Sequence, residues 1–119
     1  MTNHRLLLGV GFGVLFLASA CASLPPPQAQ LTQSKSALSA AEAVGASSVP
    51  RAALHLKMSK DQIQTAEALI ADGEMNQAEL VLRRAEADAE LALFLARDAS
   101  TQAQAIEAKK KLEKLKSEQ

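Results

Sequence analysis

Residues 78–106, AELVLRRAEADAELALFLARDASTQAQAI, contain the pattern that decides the fold. Small or apolar residues recur there at alternating spacings of four and three, the heptad repeat of a helix that packs along another helix. Seven of the nine repeat positions are alanine, so a partner helix can approach to the short end of the usual spacing of about 8–10 Å. We call this predicted packing face the seam; it consists of Ala78, Leu82, Ala85, Ala89, Ala92, Ala96, Ala99, Ala103 and Ile106.

Two interruptions divide the rest of the chain into further helices. Glycine and proline, which break helices most effectively, occur C-terminal to residue 27 only between Gly45 and Pro50 and at Gly73. The segments between them are rich in alanine, leucine, glutamate, lysine and glutamine. We therefore predict an all-α fold of three antiparallel alanine-rich helices. An N-terminal helix at about 28–44 would pack on a hairpin whose second helix begins at about residue 74.

The first two helices have predicted inward faces of their own. The second helix begins near Pro50, a favoured residue in the first turn, and ends at Gly73. Ser47 or Ser48 is the predicted N-cap. The periodicity places three residues of the first helix on one face, namely Leu31, Leu38 and Ala41, and five of the second, namely Ala52, Leu56, Ile63, Ala66 and Ile70.

The third helix is predicted to extend beyond the other two. At about 1.5 Å per residue, it would measure about 65 Å and the second helix about 34 Å. The C-terminal helix should therefore project beyond the bundle by about 30 Å. The second helix can cover the seam up to about Ala96. Ala99, Ala103 and Ile106 would rest on the first helix or on another chain.

The N-terminal segment has the three-part arrangement of a secretory signal. A short cationic start precedes an apolar stretch at 6–17, and Ala18, Ser19 and Ala20 supply the small residues of a cleavage site. The apolar stretch would form about 18 Å of helix, too short to span a hydrocarbon core of about 30 Å. We predict that residues 1–20 are a signal peptide.

Cys21 follows this segment and is the only cysteine of the chain. Its surroundings resemble the lipobox of bacterial lipoproteins, in which small residues precede a cysteine that becomes lipidated. The resemblance implies covalent diacylglycerol and N-acyl lipid on Cys21 and no other cofactor. Because Ala22 follows instead of aspartate, it also implies the periplasmic face of the outer membrane. Ordinary signal cleavage after Ala20 and an incidental free thiol are the two alternatives.

Three consecutive prolines at residues 25–27 separate the anchor from the helices. Proline cannot donate a backbone hydrogen bond and favours an extended polyproline conformation of about 3.1 Å per residue. Residues 21–27 are therefore predicted to form a lipidated, stiff tether, with a ligand for a proline-binding module as the alternative. Residues 28–119 form the predicted helical domain.

Charge argues against nucleic acid as a partner. Without residues 1–20 the chain contains 12 lysines and arginines against 13 acidic residues, so it has no global basic field. Five lysines nevertheless cluster near the C-terminus. They form either a solvated helix end favoured by the helix dipole or a basic patch for peptidoglycan carboxylates, anionic membrane or an acidic protein surface. These lysines are Lys109, Lys110, Lys111, Lys114 and Lys116.

The sequence gives little support to catalysis. His55 is the only histidine outside the signal, and a single histidine on a helix is more often a surface residue than a ligand. No second histidine or thiol would complete a metal site. Glu86 and Glu90 lie one turn apart on an open helix face, without the cleft that acid–base pairs require. We predict that the protein is not an enzyme.

The order of these elements resembles a family of small Gram-negative outer-membrane lipoproteins grouped as a domain of unknown function. Its pattern is a lipobox cysteine, an alanine-rich first helix, a proline opening the second (Val49-Pro50), a glycine turn (Asp72-Gly73) and an acidic alanine ladder (here EADAELA at 86–92). Such domains are often encoded beside or fused to OmpA-like peptidoglycan-binding domains. The resemblance implies an architecture and a location, and no biochemical activity.

Two classes of function follow. The first is a lipid-anchored structural or adaptor protein of the cell envelope, which engages a partner by helix packing. That partner would be an OmpA-like or other envelope protein, peptidoglycan or a second copy. The second is an accessory binding or chaperone-like module of an envelope transport or secretion system.

Overall fold

A computed structural model describes residues 25–118. Helix α1 spans Gln28–Ala43, α2 spans Pro50–Ala71 and α3 spans Met75–Ser117; a short 3-10 turn, Ala46–Ser48, joins the first two. No strand occurs in the described part of the chain. The prediction of an all-helical fold with three helices is confirmed. Helix α1 ends at Ala43 and α3 begins at Met75, each one residue from the predicted boundary, and α2 ends at Ala71, two residues before Gly73.

Glycines with positive φ form both connections. Gly73 has φ +83° and follows α2; its N–H donates to the Ile70 carbonyl and the Glu74 N–H donates to the Leu69 carbonyl. These two bonds form a Schellman motif, which satisfies carbonyls at the end of α2. Gly73 therefore stops the helix as predicted.

The predicted serine cap of α2 is wrong. Ser47 and Ser48 lie inside the 3-10 turn that follows Gly45, whose φ is +79°. Val49 takes the N-cap position in an extended conformation, and no side chain caps the helix. Because a residue that precedes proline is disfavoured in the helical region, Pro50 places this extended residue between the serines and the helix.

Helix α3 is the element on which the other two pack. It makes extensive contacts with α2 along much of its length and fewer with α1, whereas α1 and α2 touch each other less. Ala41 of α1 and Ala52 of α2 meet Ala92 and Ala96 of α3 in one buried cluster. The three helices therefore converge on a single face of α3.

That face is built mainly from alanine. Leu82 is the largest fully buried side chain of the described residues. With so little side-chain volume between them, the helices are expected to lie at the short end of the usual spacing of about 8–10 Å. The buried seam positions are Ala78, Leu82, Ala85, Ala89, Ala92 and Ala96.

Two buried serines complete the packing faces of α1 and α2. Ser34 is fully buried, and its hydroxyl donates to the Gln30 carbonyl or the Leu82 carbonyl, at 2.8 and 2.9 Å. Ser59 is also fully buried, and its Oγ has no hydrogen-bond partner among the described residues. The predicted inward faces of α1 and α2 do not include these serines, because those faces were chosen from apolar residues and alanine. Each serine nevertheless lies at a heptad position of its helix. Spacing would have identified them.

The C-terminal part of α3 leaves the body. We define the tail as residues 101–118, all of which are exposed. Ala99 is half-buried, whereas Ala103 and Ile106 are exposed. At about 1.5 Å per residue, the tail extends α3 by about 25 Å. None of the described helices is long and apolar enough to cross a membrane.

Candidate functional site

The tail presents apolar side chains on two opposite sides. Ala103 and Ile106 continue the seam, and Ile106 is 55% exposed. The opposite side carries Leu112 and Leu115, which are 53% and 52% exposed. Exposed leucine and isoleucine side chains at helical spacing are unusual on a solvated helix, because apolar area is stabilised by burial. Both sides of the tail are therefore candidate helix-packing surfaces.

The predicted basic patch lies entirely on this tail. Lys109, Lys110, Lys111, Lys114 and Lys116 are all exposed. Lys114 lies 4.0 Å from Glu118, and Lys114 and Lys116 belong to the last turn of α3. Cations in the last turn of a helix interact favourably with its dipole. Lys114 and Lys116 are therefore placed to stabilise the helix end, and all five lysines present positive charge on the surface of the tail.

A cleft lies where the tail leaves the body. It has a volume of about 310 Å³. Val49 and Pro50 form one wall, and Leu95, Ala99 and Gln102 of α3 form the other. Ala99 therefore faces the start of α2. The next seam residue, Ala103, lies about one turn further along α3 and is exposed.

A larger open groove, of about 710 Å³, runs between α1 and α3. The floor on the α1 side consists of small residues, including Ala29, Ala37 and Ala40. Glu86 and Glu90 line the α3 side, and Glu86 accepts a hydrogen bond from the Gln33 amide. The groove is open to solvent and carries two carboxylates among small and polar side chains.

A polar contact ties α2 to α3. Asp88 accepts two hydrogen bonds, from His55 Nδ1 to Oδ1 and from Gln62 Nε2 to Oδ2, both at 2.8 Å. The His55 and Asp88 side chains are 26% and 17% exposed. His55, which the sequence placed on a helix surface, therefore binds the neighbouring helix. These hydrogen bonds are partly shielded from solvent and join α2 to α3.

Removal of this contact should destabilise the protein. We expect Asp88→Ala to lower the free energy of unfolding by about 1–3 kcal/mol, because it leaves the partly buried His55 and Gln62 donors without an acceptor. Asp61→Ala is the matched control: Asp61 is exposed and pairs only with Lys57 on its own helix, so its loss should cost less than about 0.5 kcal/mol. Urea unfolding followed by circular dichroism measures both. Equal stability of the two variants would contradict the structural role of Asp88.

The remaining candidates are spread apart or lie outside the described residues. No group of three or more histidine, cysteine, aspartate or glutamate side chains is placed to hold a metal ion within residues 25–118. Cys21 and the predicted cleavage residues Ala18, Ser19 and Ala20 lie outside the part of the chain that the structure describes. Their roles stay predictions.

The described residues form an all-helical module in which the exposed faces of the tail are the most distinctive surfaces. The profile of a family described as a domain of unknown function, DUF4398, matches residues 29–108, about two thirds of the chain. The chain therefore belongs to this family, in agreement with the resemblance to a family of unknown function. Neither the curated proteins nor the solved structures include a significant match.

The family match covers the body and only part of the tail. It includes α1 from Ala29, all of α2, and α3 as far as Ala108. Ala99, Ala103 and Ile106 thus belong to the matched region. The five clustered lysines lie beyond it.

Proposed function

We propose that this protein is a lipid-anchored structural or adaptor protein of the cell envelope, without catalytic activity. Residues 1–20 act as a lipoprotein signal peptide with cleavage after Ala20. Cys21 carries diacylglycerol and an N-acyl chain, and residues 21–27 are the tether. The protein stands on the periplasmic face of the outer membrane. The small residues before Cys21, the single thiol and Ala22 after it support this assignment.

Three antiparallel helices form the body in this proposal. The α2–α3 pair forms a coiled-coil-like hairpin on which α1 lies, and α3 carries the tail beyond the body. The partner packs on the seam where it leaves the body, at Ala99, Ala103 and Ile106. The observation that carries the proposal is the uninterrupted heptad pattern, because the same spacing continues from buried positions to exposed ones.

The partner belongs to the envelope. An OmpA-like protein fits the genetic neighbourhood that the resemblance implies, while peptidoglycan carboxylates or an acidic protein surface would match the tail lysines. The mature chain has no charge excess that would favour nucleic acid. The second candidate function is that of an accessory module of an envelope transport or secretion system. Such a module would use the same face of the tail for transient contacts.

A substitution on the uncovered seam tests this proposal. We expect Ile106→Glu in the full-length protein to reduce the recovery of co-purifying envelope protein by about tenfold or more, because it places a charge on the contact face. Leu80→Glu is the matched control, since Leu80 is 60% exposed and lies near the start of α3, at the opposite end of the helix from the tail. Quantitative mass spectrometry of the affinity-purified complexes gives the readout. Equal recovery with both variants would overturn the proposal.

A further inference from the structure

Helix α3 carries a second periodic stripe, which lies beside the seam in the body and continues into the tail. Its positions repeat every 11 residues, or about 3.67 per turn, close to the period of a straight helix. The stripe therefore stays on one side of α3. Exposed Phe94 adjoins it, at 65% exposure. Its members include Glu90, Leu93, Thr101, Gln104, Leu112 and Leu115.

One part of this stripe lies in the groove and the other lies on the tail. Glu90 and Leu93 line the α1–α3 groove, whereas Leu112 and Leu115 are exposed beyond the body. Leu93 is partly buried against the core, and Glu90, Leu112 and Leu115 are exposed. The groove is acidic and lined by small residues, and the tail is basic with exposed leucines. The two surfaces are therefore complementary in charge.

Their dimensions also agree. Helix α1, which forms one wall of the groove, has 16 residues and measures about 24 Å, and the tail measures about 25 Å. Lys109 and Lys111 lie at the middle of the tail. Glu86 and Glu90 lie at the middle of the groove, since α1 extends along α3 from the Ser34–Leu82 contact to the buried cluster of Ala41. A tail that occupies the full length of the groove would thus place Lys109 and Lys111 near Glu86 and Glu90.

We propose that the α1–α3 groove binds the tail of a second copy of this chain, and that two copies exchange tails reciprocally about a twofold axis. Reciprocal exchange closes the assembly as a dimer, whereas one-way insertion would leave an open chain of subunits. The two α3 helices run antiparallel in this arrangement, which also opposes their dipoles. The inference goes beyond the proposed function because it uses the opposite side of the tail from Ala103 and Ile106.

The dimer is tested with the full-length lipidated protein in detergent. Sedimentation equilibrium at matched detergent density should give the mass of two chains for the wild type. Leu112→Gln should raise the dimer dissociation constant by about tenfold or more. Ile106→Gln is the matched control on the other side of the tail and should leave that constant unchanged. A monomeric wild type, or equal effects of the two substitutions, would overturn the inference.

Charge exchange identifies the contacting surfaces. Glu86→Lys with Glu90→Lys reverses the groove, and Lys109→Glu with Lys111→Glu reverses the tail. Each double variant alone should be monomeric, and a variant that combines all four substitutions should regain dimer formation. Failure to regain it, with unchanged helical content by circular dichroism, would exclude this pairing. Because Ile106→Glu tests the envelope partner separately, either proposal can fail while the other stands.

Discussion

Ala89→Leu is expected to lower the free energy of unfolding by about 3 kcal/mol, the upper end of the usual cost of overpacking a core. Ala89 is fully buried in the seam, between Ala85 and Ala92, which are fully buried as well. A leucine side chain can enter only if the helices move apart, and that movement would also loosen the neighbouring alanine contacts. For a domain of this size, the melting temperature should fall by about 10–20 °C.

Ala87→Leu provides the control for this experiment. Ala87 lies on the same helix and is exposed, so the identical substitution should change stability by less than about 0.5 kcal/mol. Thermal unfolding followed by circular dichroism compares the two proteins directly. An unchanged melting temperature in Ala89→Leu would contradict close helix packing through alanine.

Cys21→Ser is expected to abolish membrane attachment. Each buried methylene contributes about 0.8 kcal/mol, and two acyl chains suffice for stable anchoring, so three chains would make attachment effectively permanent. Serine offers no thiol for diacylglycerol. The substituted protein should lose metabolic acyl label and move from the membrane fraction to the soluble periplasmic fraction.

Ser23→Ala is the matched control, because it changes a neighbouring small residue and keeps the thiol. It should retain both the label and the membrane fraction. A wild-type protein that carries no acyl label would contradict the anchor. A mature N-terminus at Cys21 with a thiol that reacts with maleimide would then identify ordinary signal cleavage.

The sequence predicts buried residues best on α3, where the heptad spacing lies within a single helix. The four-three spacing on α3 selected six residues that are buried, and Gly73 was identified as a helix stop from its conformational freedom alone. Both properties are local, since they depend on residues within a few turns of each other. The same spacing on α1 and α2 also includes Ser34 and Ser59, which the predicted inward faces left out because they were chosen from apolar residues and alanine.

Contacts between helices were harder to predict. His55 and Asp88 are 33 positions apart, and their pairing depends on how α2 is rotated against α3. The α1–α3 groove likewise depends on where α1 lies. In a body packed through alanine, few large side chains fix these rotations, so the pattern of hydrophobic residues contains little information about them.

The most direct test of the central claim, that the uncovered seam of the tail contacts an envelope partner, is in-cell photocrosslinking from Ala103. A photoreactive amino acid at this position of the full-length protein should form a stable adduct with an abundant envelope protein, identified by mass spectrometry. The same amino acid at Gln64, which is exposed on α2, should not. Absence of any adduct from Ala103, while the protein remains folded and membrane-attached, would contradict the claim.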